Sequence, residues 1–255
     1  MTALPGTDSP AHEQQAAGFV PSRDGLAFTN SWPSAPGVAV RMPFGTVGIG
    51  DASRGLCGGM IFAALDYWHA HATPPTVQPP PGSPLYRYIV GRLIDSWHLP
   101  AGVARYYRWQ AKSDGYVARR TVEVHWPQVK AALDRGEPAV LGLVTVTSAN
   151  PGQLGRNHQV LACRYHQADN VVTLQVYDPN SGPNDRVFLQ FEASSHAAGE
   201  RFEPSSHAAG AQFEPSSHDA GVRFAHNINI GLPVRGFFLT RYSPAPAPPH
   251  PGPPH

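Results

Sequence analysis

A pair of strand-like runs constrains the fold of this chain more than any other feature. The runs cover residues 158–165 and 171–178, and polar residues typical of a turn join them. If the turn is centred on Ala168, His158 and Asp178 lie directly opposite each other, with Cβ atoms about 4.5–5.5 Å apart. An aspartate at that position can accept a hydrogen bond from one imidazole nitrogen and leave the other to act as a base.

A cysteine stands at the predicted start of a helix. Cys57 precedes two glycines, and the apolar residues that follow recur every three or four positions, which predicts an amphipathic helix over residues 57–70. Unpaired backbone N–H groups and the positive end of the helix dipole favour a thiolate there. Gly58 and Gly59 would let the backbone approach a substrate closely.

Each of these features has an ordinary structural explanation when it is taken alone. Cys57 could be a small buried residue, His158 a hydrogen-bonded residue of a strand, and Asp178 the first residue of a turn with Pro179. Together they favour a catalytic set, in which Cys57 is the nucleophile and His158 the base. The second cysteine, Cys163, alternates to the opposite face of its strand and is predicted to be a buried structural thiol, lying among Leu161 and Tyr165.

The order of the predicted elements gives the fold class. Helices come first, at residues 57–70, 84–97, 103–110 and 126–134, and strands follow at 139–146, 158–165, 171–178, 186–191 and 234–240. This order indicates an α+β protein, with the nucleophile helix packed on an antiparallel sheet. We expect a flexible segment over residues 1–18, a single domain over 19–242 and a Pro-rich tail over 243–255.

An eleven-residue repeat lies between the last strands. Its phenylalanines and histidines are Phe191, Phe202, Phe213, Phe224, His196, His207 and His218. Eleven residues make three helical turns, so helical histidines could share a face and hold a metal. Recurring proline, serine and glycine disfavour that helix, and we interpret residues 191–224 as a loop insertion copied in tandem, with no metal site.

Composition excludes several classes of function. A formal net charge of +1 and the lack of a basic stripe argue against a nucleic-acid partner. The sequence has no secretory signal and no apolar stretch long enough to span a membrane, so no membrane partner is predicted. Two cysteines provide no disulfide framework, which makes a cytoplasmic location the expectation. The composition gives no indication of the oligomeric state.

The three motifs, Gly55-Leu56-Cys57-Gly58-Gly59, Asn157-His158-Gln159-Val160-Leu161 and Val176-Tyr177-Asp178-Pro179-Asn180, resemble those of the papain-like cysteine peptidase superfamily. The closest likeness is to its C39-like branch, and it covers roughly residues 50–70 and 126–182, with a closing strand expected at 234–240. The resemblance implies a papain-like fold, a peptide or amide substrate and no cofactor. It also implies Cys57 as nucleophile, His158 as general base and then acid, and Asp178 as the residue that orients it.

One departure from this family concerns the oxyanion. Such peptidases usually supply a glutamine a few residues before the cysteine, whereas this chain has Asp51 and Ser53 there. Asn30 or a backbone amide is a further candidate donor. The residues that we expect to bind the oxyanion or substrate are Ser53, Gly58, Asn157 and Asn180. The leading hypothesis is a hydrolase that cleaves an amide bond through a thioester; the alternatives are a transglutaminase-like acyltransferase and an inactive binding module with the same fold.

Overall fold

The computed structural model describes residues 12–13, 18–32, 38–42, 45–49, 55–98, 101–193, 214–215 and 222–245. Most of the predicted flexible segment 1–18, most of the Pro-rich tail 243–255 and the inner part of the repeat, with all three of its histidines, lie outside these residues. Ser53 and Asp51 also lie outside them.

Helices and strands alternate in blocks along the described chain. The helices are α1 (Pro21–Asp24), α2 (Cys57–His69), α3 (Pro84–Ser96), α4 (Ala101–Gln110), α5 (Asp114–Arg120) and α6 (Trp126–Asp134). The strands are β1 (His12–Glu13), β2 (Val38–Met42), β3 (Gly45–Ile49), β4 (Ala139–Val144), β5 (His158–Ala168), β6 (Val171–Tyr177), β7 (Phe188–Glu192), β8 (Glu214–Pro215), β9 (Phe224–His226) and β10 (Gly236–Thr240). A π-helical turn, Thr121–His125, joins α5 to α6, and a 3-10 turn, Pro151–Arg156, precedes β5.

The main sheet is antiparallel and follows the order β10-β4-β5-β6-β7-β9-β8, with β1 paired to β5. Strands β2 and β3 form a separate hairpin. Helix α2 packs against α3 and against β5, so the mixed helix and sheet architecture confirms the α+β class. The repeat begins and ends on adjacent strands, because Phe191 of β7 pairs with Phe224 of β9.

Helix α2 lies in the centre of the molecule rather than on its surface. Its residues from Cys57 to Tyr67 are all buried, so the prediction of an amphipathic helix was wrong. A helix that is apolar on every side is a core helix. The reason is that α3, the chain around Phe19 and Leu26, and strand β5 cover different sides of α2 in one hydrophobic cluster.

The one charged residue of α2, Asp66, is buried but fully paired. Its two carboxylate oxygens accept hydrogen bonds from Arg92 Nε (2.7 Å), Arg92 Nη2 (3.1 Å), Tyr88 Oη (2.8 Å), Tyr242 Oη (2.6 Å) and the Ala245 N–H (3.1 Å). The guanidinium of Arg92 also lies over the ring of Phe62, 4.9 Å from its centroid. This ion pair therefore joins α2, α3 and the segment that follows β10.

We expect Asp66→Asn to destabilise the protein by about 3–5 kcal/mol, because it removes the buried carboxylate that pairs with Arg92 and leaves the guanidinium only the exposed carboxylate of Asp95. The matched control is Asp95→Asn, since Asp95 contacts the same guanidinium at 2.7 Å but its side chain is 57% exposed. That control should cost less than about 1 kcal/mol. Urea unfolding gives both free energies, and equal costs for the two variants would contradict the prediction.

Candidate active site

The structure brings His158 and Asp178 into direct contact. His158 Nε2 lies 2.8 Å from Asp178 Oδ1, and both side chains are almost completely buried. Since Nε2 is engaged with the carboxylate, Nδ1 is the ring nitrogen left to face other groups. The contact expected from the sequence is therefore present.

The register behind this contact differs from the one we predicted. The strands extend to Ala168 and resume at Val171, so the turn is only two residues long, and Leu161 lies opposite Tyr177. Continuing that register places Asp178 opposite Val160, so the prediction that it lies directly opposite His158 was wrong. The error is two residues, and because side chains alternate along a strand, His158 and Asp178 still share a face.

The carboxylate of Asp178 accepts four hydrogen bonds. The donors are His158 Nε2 (2.8 Å) and the Asn180 N–H (3.0 Å) on Oδ1, and Ser181 Oγ (2.6 Å) and the Asn229 N–H (3.0 Å) on Oδ2. Burial by itself raises the pKa of Asp178, but the hydrogen bond and charge of His158, followed by Ser181 and the Asn180 amide, bring it below its ordinary value. Asp178 is therefore an anion at neutral pH.

Cys57 is the first residue of α2 and lies beside His158. The residue before the helix, Leu56, provides no side-chain cap, so the amides of the first turn have no side-chain acceptor at that position. His158 lies close enough to Cys57 for its charge and a side-chain hydrogen bond to lower the pKa of the thiol, and the backbone N–H groups of Gln159 and Gly58 lower it further. The three residues of the predicted catalytic set thus meet at the start of a helix.

Cys57 and His158 shift each other's pKa values in opposite directions. Burial raises the pKa of the Cys57 thiol, but the charge and hydrogen bond of His158, together with the backbone N–H groups of Gln159 and Gly58, more than offset it, so the pKa lies below its ordinary value. Burial lowers the pKa of His158, but the charge of Cys57 and the hydrogen bond that His158 donates to Asp178 raise it to about 10. Each of the two groups therefore favours the charged form of the other.

Asn30 connects the nucleophile helix to the turn that holds Asp178. Its Oδ1 accepts a hydrogen bond from the Leu56 N–H (3.3 Å), and its Nδ2 donates to Asn180 Oδ1 (3.0 Å). Its own backbone N–H donates to the carbonyl of Pro179 (2.8 Å). Because its amide is engaged on both sides, Asn30 serves as a brace, and not as the oxyanion donor that we considered from the sequence.

The two glycines after Cys57 make room for neighbouring side chains and backbone. A Cβ on Gly58 would lie 2.4 Å from Ser96 Oγ and 2.7 Å from Gln159 Oε1, and a Cβ on Gly59 would lie 2.1 Å from the Ile89 carbonyl oxygen. A side chain at either position would therefore point into the protein. The structure therefore explains the missing side chains by the close packing of α2 on α3, and not by contact with a substrate.

The remaining candidates for oxyanion or substrate binding have other contacts. Asn157 holds the loop before β5, since its Oδ1 accepts from the Thr145 N–H (3.2 Å) and its Nδ2 donates to Gln110 Oε1 (3.2 Å). Asn180 braces Asp178, and its Nδ2 donates to the carbonyl of Asn229 (2.9 Å). We therefore assign both asparagines to support of the site. Ser53 lies outside the described residues.

Tyr106 and Gln159 are part of the site but were missed from the sequence. The hydroxyl of Tyr106 donates to the backbone carbonyl of His158 (3.2 Å), and the side chain of Gln159 lies beside that hydroxyl. Gln159 Nε2 also lies 3.5 Å from Ser96 Oγ. A Cβ on Gly142 would lie 2.6 Å from the Tyr106 hydroxyl, so that glycine is the sequence signal that could have indicated a large neighbour.

Cys163 is distant from this chemistry, as the alternation of the strand predicts. It is fully buried, its thiol donates to the Leu161 carbonyl (3.3 Å), and burial raises its pKa well above the ordinary range. It packs in the same cluster as Leu161, whereas Tyr165 belongs to the cluster on the other face, so our expectation that Tyr165 surrounds it was wrong. It is an inert thiol by environment.

Neither a metal centre nor a membrane-spanning helix is found in the part of the chain that the structure describes. Within those residues, no group of three or more His, Cys, Asp or Glu side chains is arranged to hold a metal ion. None of the helices there combines the length and apolar character needed to cross a bilayer.

Comparison with known proteins yields no relative. No protein-family model matches the chain, and no curated protein or solved structure matches it. Only the geometry of the site therefore bears on the function of the protein.

We expect Tyr106→Phe to slow alkylation of Cys57 by iodoacetamide at pH 6.5 by about fivefold. One hydrogen bond, worth about 1 kcal/mol, then no longer fixes the His158 backbone. Tyr107→Phe is the matched control, because this adjacent tyrosine is 37% exposed, and its rate should stay within about twofold of the parent. Equal rates for the two variants would show that the Tyr106 hydroxyl does not position His158.

Proposed function

We propose that the protein is a papain-like cysteine hydrolase, a peptidase or amidase that cleaves an amide bond through a thioester on Cys57. The observation that supports this proposal most directly is the buried chain of contacts from the Cys57 thiol to the His158 imidazole and on to the Asp178 carboxylate. A nucleophile, a base and an orienting acid in this order are what acyl transfer by a cysteine requires.

In the proposed reaction, the Cys57 thiolate attacks the carbonyl carbon of the amide and forms a carbon–sulfur bond. The carbonyl oxygen becomes an oxyanion, and the backbone N–H of Cys57, at the positive end of α2, is placed to stabilise it. The imidazolium of His158 gives its proton to the leaving nitrogen as the carbon–nitrogen bond breaks. Asp178 keeps the ring oriented and stabilises its positive charge during this step.

Hydrolysis of the thioester completes the cycle. His158 is then neutral and takes a proton from water, whose oxygen attacks the thioester carbon while the carbon–sulfur bond breaks. The products are a carboxylic acid and the regenerated thiolate–imidazolium pair. Ser53, four residues before the nucleophile, stays our candidate for the second oxyanion donor.

We expect iodoacetamide to alkylate Cys57 rapidly at pH 6.5, because the thiolate is the reactive form and His158 lowers its pKa. His158→Ala removes the two largest effects that oppose burial, so the pKa of Cys57 should rise and the rate should fall about tenfold for each unit of that rise. The acidic limb of the pH–rate profile should move to higher pH. Peptide mass spectrometry identifies the alkylated residue.

Cys163→Ala is the matched control and should leave the alkylation rate unchanged, because the raised pKa and full burial of Cys163 keep it unreactive. Slow alkylation of the native protein, or an unchanged rate in His158→Ala, would contradict the proposal and favour an inactive binding module with this fold.

The same thioester is the intermediate of an acyltransferase, so the acceptor must be tested separately. Incubation with a peptide mixture and dansyl-cadaverine should yield new carboxylates without dansylated peptides if water is the acceptor. Cys57→Ala should abolish product in either case. Dansylated peptides that depend on Cys57 would instead identify a transglutaminase-like acyltransferase.

A further inference from the structure

A cavity of about 980 Å³ opens between helices α2, α4 and α6 and strands β4 and β10. Its volume lies at the upper end of the range of roughly 300–1,000 Å³ that is usual for small-molecule sites. Neither Cys57 nor His158 nor Asp178 lines it, so the proposed reaction does not account for it. It meets the candidate active site at two side chains of its wall: Tyr106, which contacts His158, and Ser96, which lies beside Gly58 and Gln159.

The charged side chains of this cavity are mainly guanidinium groups. Arg105, Arg135 and Arg241 line it, together with the single carboxylate of Glu137. Arg135 pairs with Glu137 at 2.7 Å, and both are exposed. Among the described residues, neither Arg105 nor Arg241 forms an ion pair with a carboxylate, so the cavity has an excess of positive charge.

Contacts with described residues hold the Arg105 guanidinium in place and leave several of its N–H donors available to a ligand. One Nη1–H donates to the Leu239 carbonyl (3.0 Å), and the guanidinium carbon lies 5.3 Å from the centroid of the Phe238 ring. A guanidinium has five N–H donors, and this arrangement fixes its plane while using one of them. A preorganised guanidinium of this kind suits a carboxylate or a phosphate.

His125 adds a neutral ring to the cavity wall. Burial, followed by the charges of Arg105 and Arg120, lowers its pKa to about 4, so it is neutral at neutral pH. Its Nδ1 accepts a hydrogen bond from the Leu239 N–H (3.3 Å), which places the ring proton on Nε2. The imidazole therefore adds a neutral donor, and not an acidic group, to the cavity wall.

Aromatic rings form much of the remaining wall. Trp68, Tyr106, Phe238 and Tyr242 all line the cavity, with Leu65 and Leu239 beside them. Such a wall favours the apolar body of a ligand, while the arginines favour an anionic group.

We propose that this cavity binds a small organic anion, an apolar body carrying a carboxylate or a phosphate group, and that Arg105 and Arg241 hold its charge. The site is separate from Cys57, and its existence does not depend on the hydrolase activity proposed above.

Calorimetric titration of the full chain with 1-naphthoate tests the proposal, with 1-naphthamide as the neutral ligand of the same shape. Naphthoate should bind at least tenfold more tightly than the amide, because the carboxylate accepts charge-assisted hydrogen bonds. Arg105→Gln and Arg241→Gln should each weaken naphthoate binding at least fivefold. Arg186→Gln, an exposed arginine outside the cavity, should leave it within twofold of the parent.

Two further arms separate the possible explanations. Titration with 1-naphthyl phosphate identifies the preferred anionic group, and tighter binding of either anion than of the amide supports the proposal. Cys57→Ala should bind naphthoate as the parent does, so a failure of the hydrolase proposal leaves this result intact.

Equal affinity for naphthoate and naphthamide would overturn the proposal, as would a lack of measurable binding by the parent. So would unchanged binding in both Arg105→Gln and Arg241→Gln. Because Arg241 is exposed, its variant keeps the test valid if Arg105→Gln does not fold.

Discussion

The buried carboxylate of Asp178 is the charge on which the rest of the candidate site depends. A carboxylate without solvent contact is costly as an anion unless donors surround it, and four donors reach this one. As an anion it stabilises the imidazolium of His158, and the imidazolium in turn stabilises the thiolate of Cys57. Besides His158, the donors to Asp178 are the Asn180 N–H, Ser181 Oγ and the Asn229 N–H. These three groups affect the Cys57 sulfur indirectly, through the charge of Asp178 and then the charge of His158.

A single extra residue in β5 decides whether Asp178 can reach His158 at all. Near the turn, Arg164 lies opposite Gln175, whereas beyond the bulge Ala162 lies opposite Val176, so Cys163 is the additional residue. Without the bulge, the register set by the two-residue turn would place Asp178 opposite Leu161, on the face away from His158. The bulge restores the shared face, in keeping with the frequent occurrence of bulges beside active sites.

The sequence was sufficient for those elements whose signals are local. The start of α2 at Cys57, the proline that opens α6, and the hairpin of β5 and β6 all follow from periodicity and turn chemistry. The α+β class follows from their order, whereas a papain-like fold stays a prediction. The predicted register was two residues off because the turn is Asp169-Asn170 and is not centred on Ala168, which shifts the pairing by three residues, while the bulge at Cys163, which has no local signature, shifts it back by one.

Contacts between segments that are distant in the chain could not be predicted from sequence patterns. Nothing near Asn30 indicates that its amide joins Leu56 to Asn180, because each partner is far away in the chain. The sequence around Tyr106 likewise gives no sign of its role, since a tyrosine in a helix normally indicates packing. Its contact with the His158 carbonyl depends on how α4 packs against β4 and β5. The position of helix α2 in the core, with neighbours on every side, likewise emerges only from tertiary packing.

Helix α2 is held at both ends, and this explains how a short polar network can define the position of a sulfur atom. At its start, Asn30 joins Leu56 to the turn of Asp178. Toward its end, Asp66 is held by Arg92 and Tyr242 from two other segments. Between these anchors Gly59 lets the α3 backbone come too close for any side chain. A helix fixed in this way cannot slide or rotate without breaking a buried charge contact, so Cys57 meets His158 in one geometry. Chemistry at such a site requires little reorganisation, which is the condition under which fixed dipoles and charges stabilise a transition state most strongly.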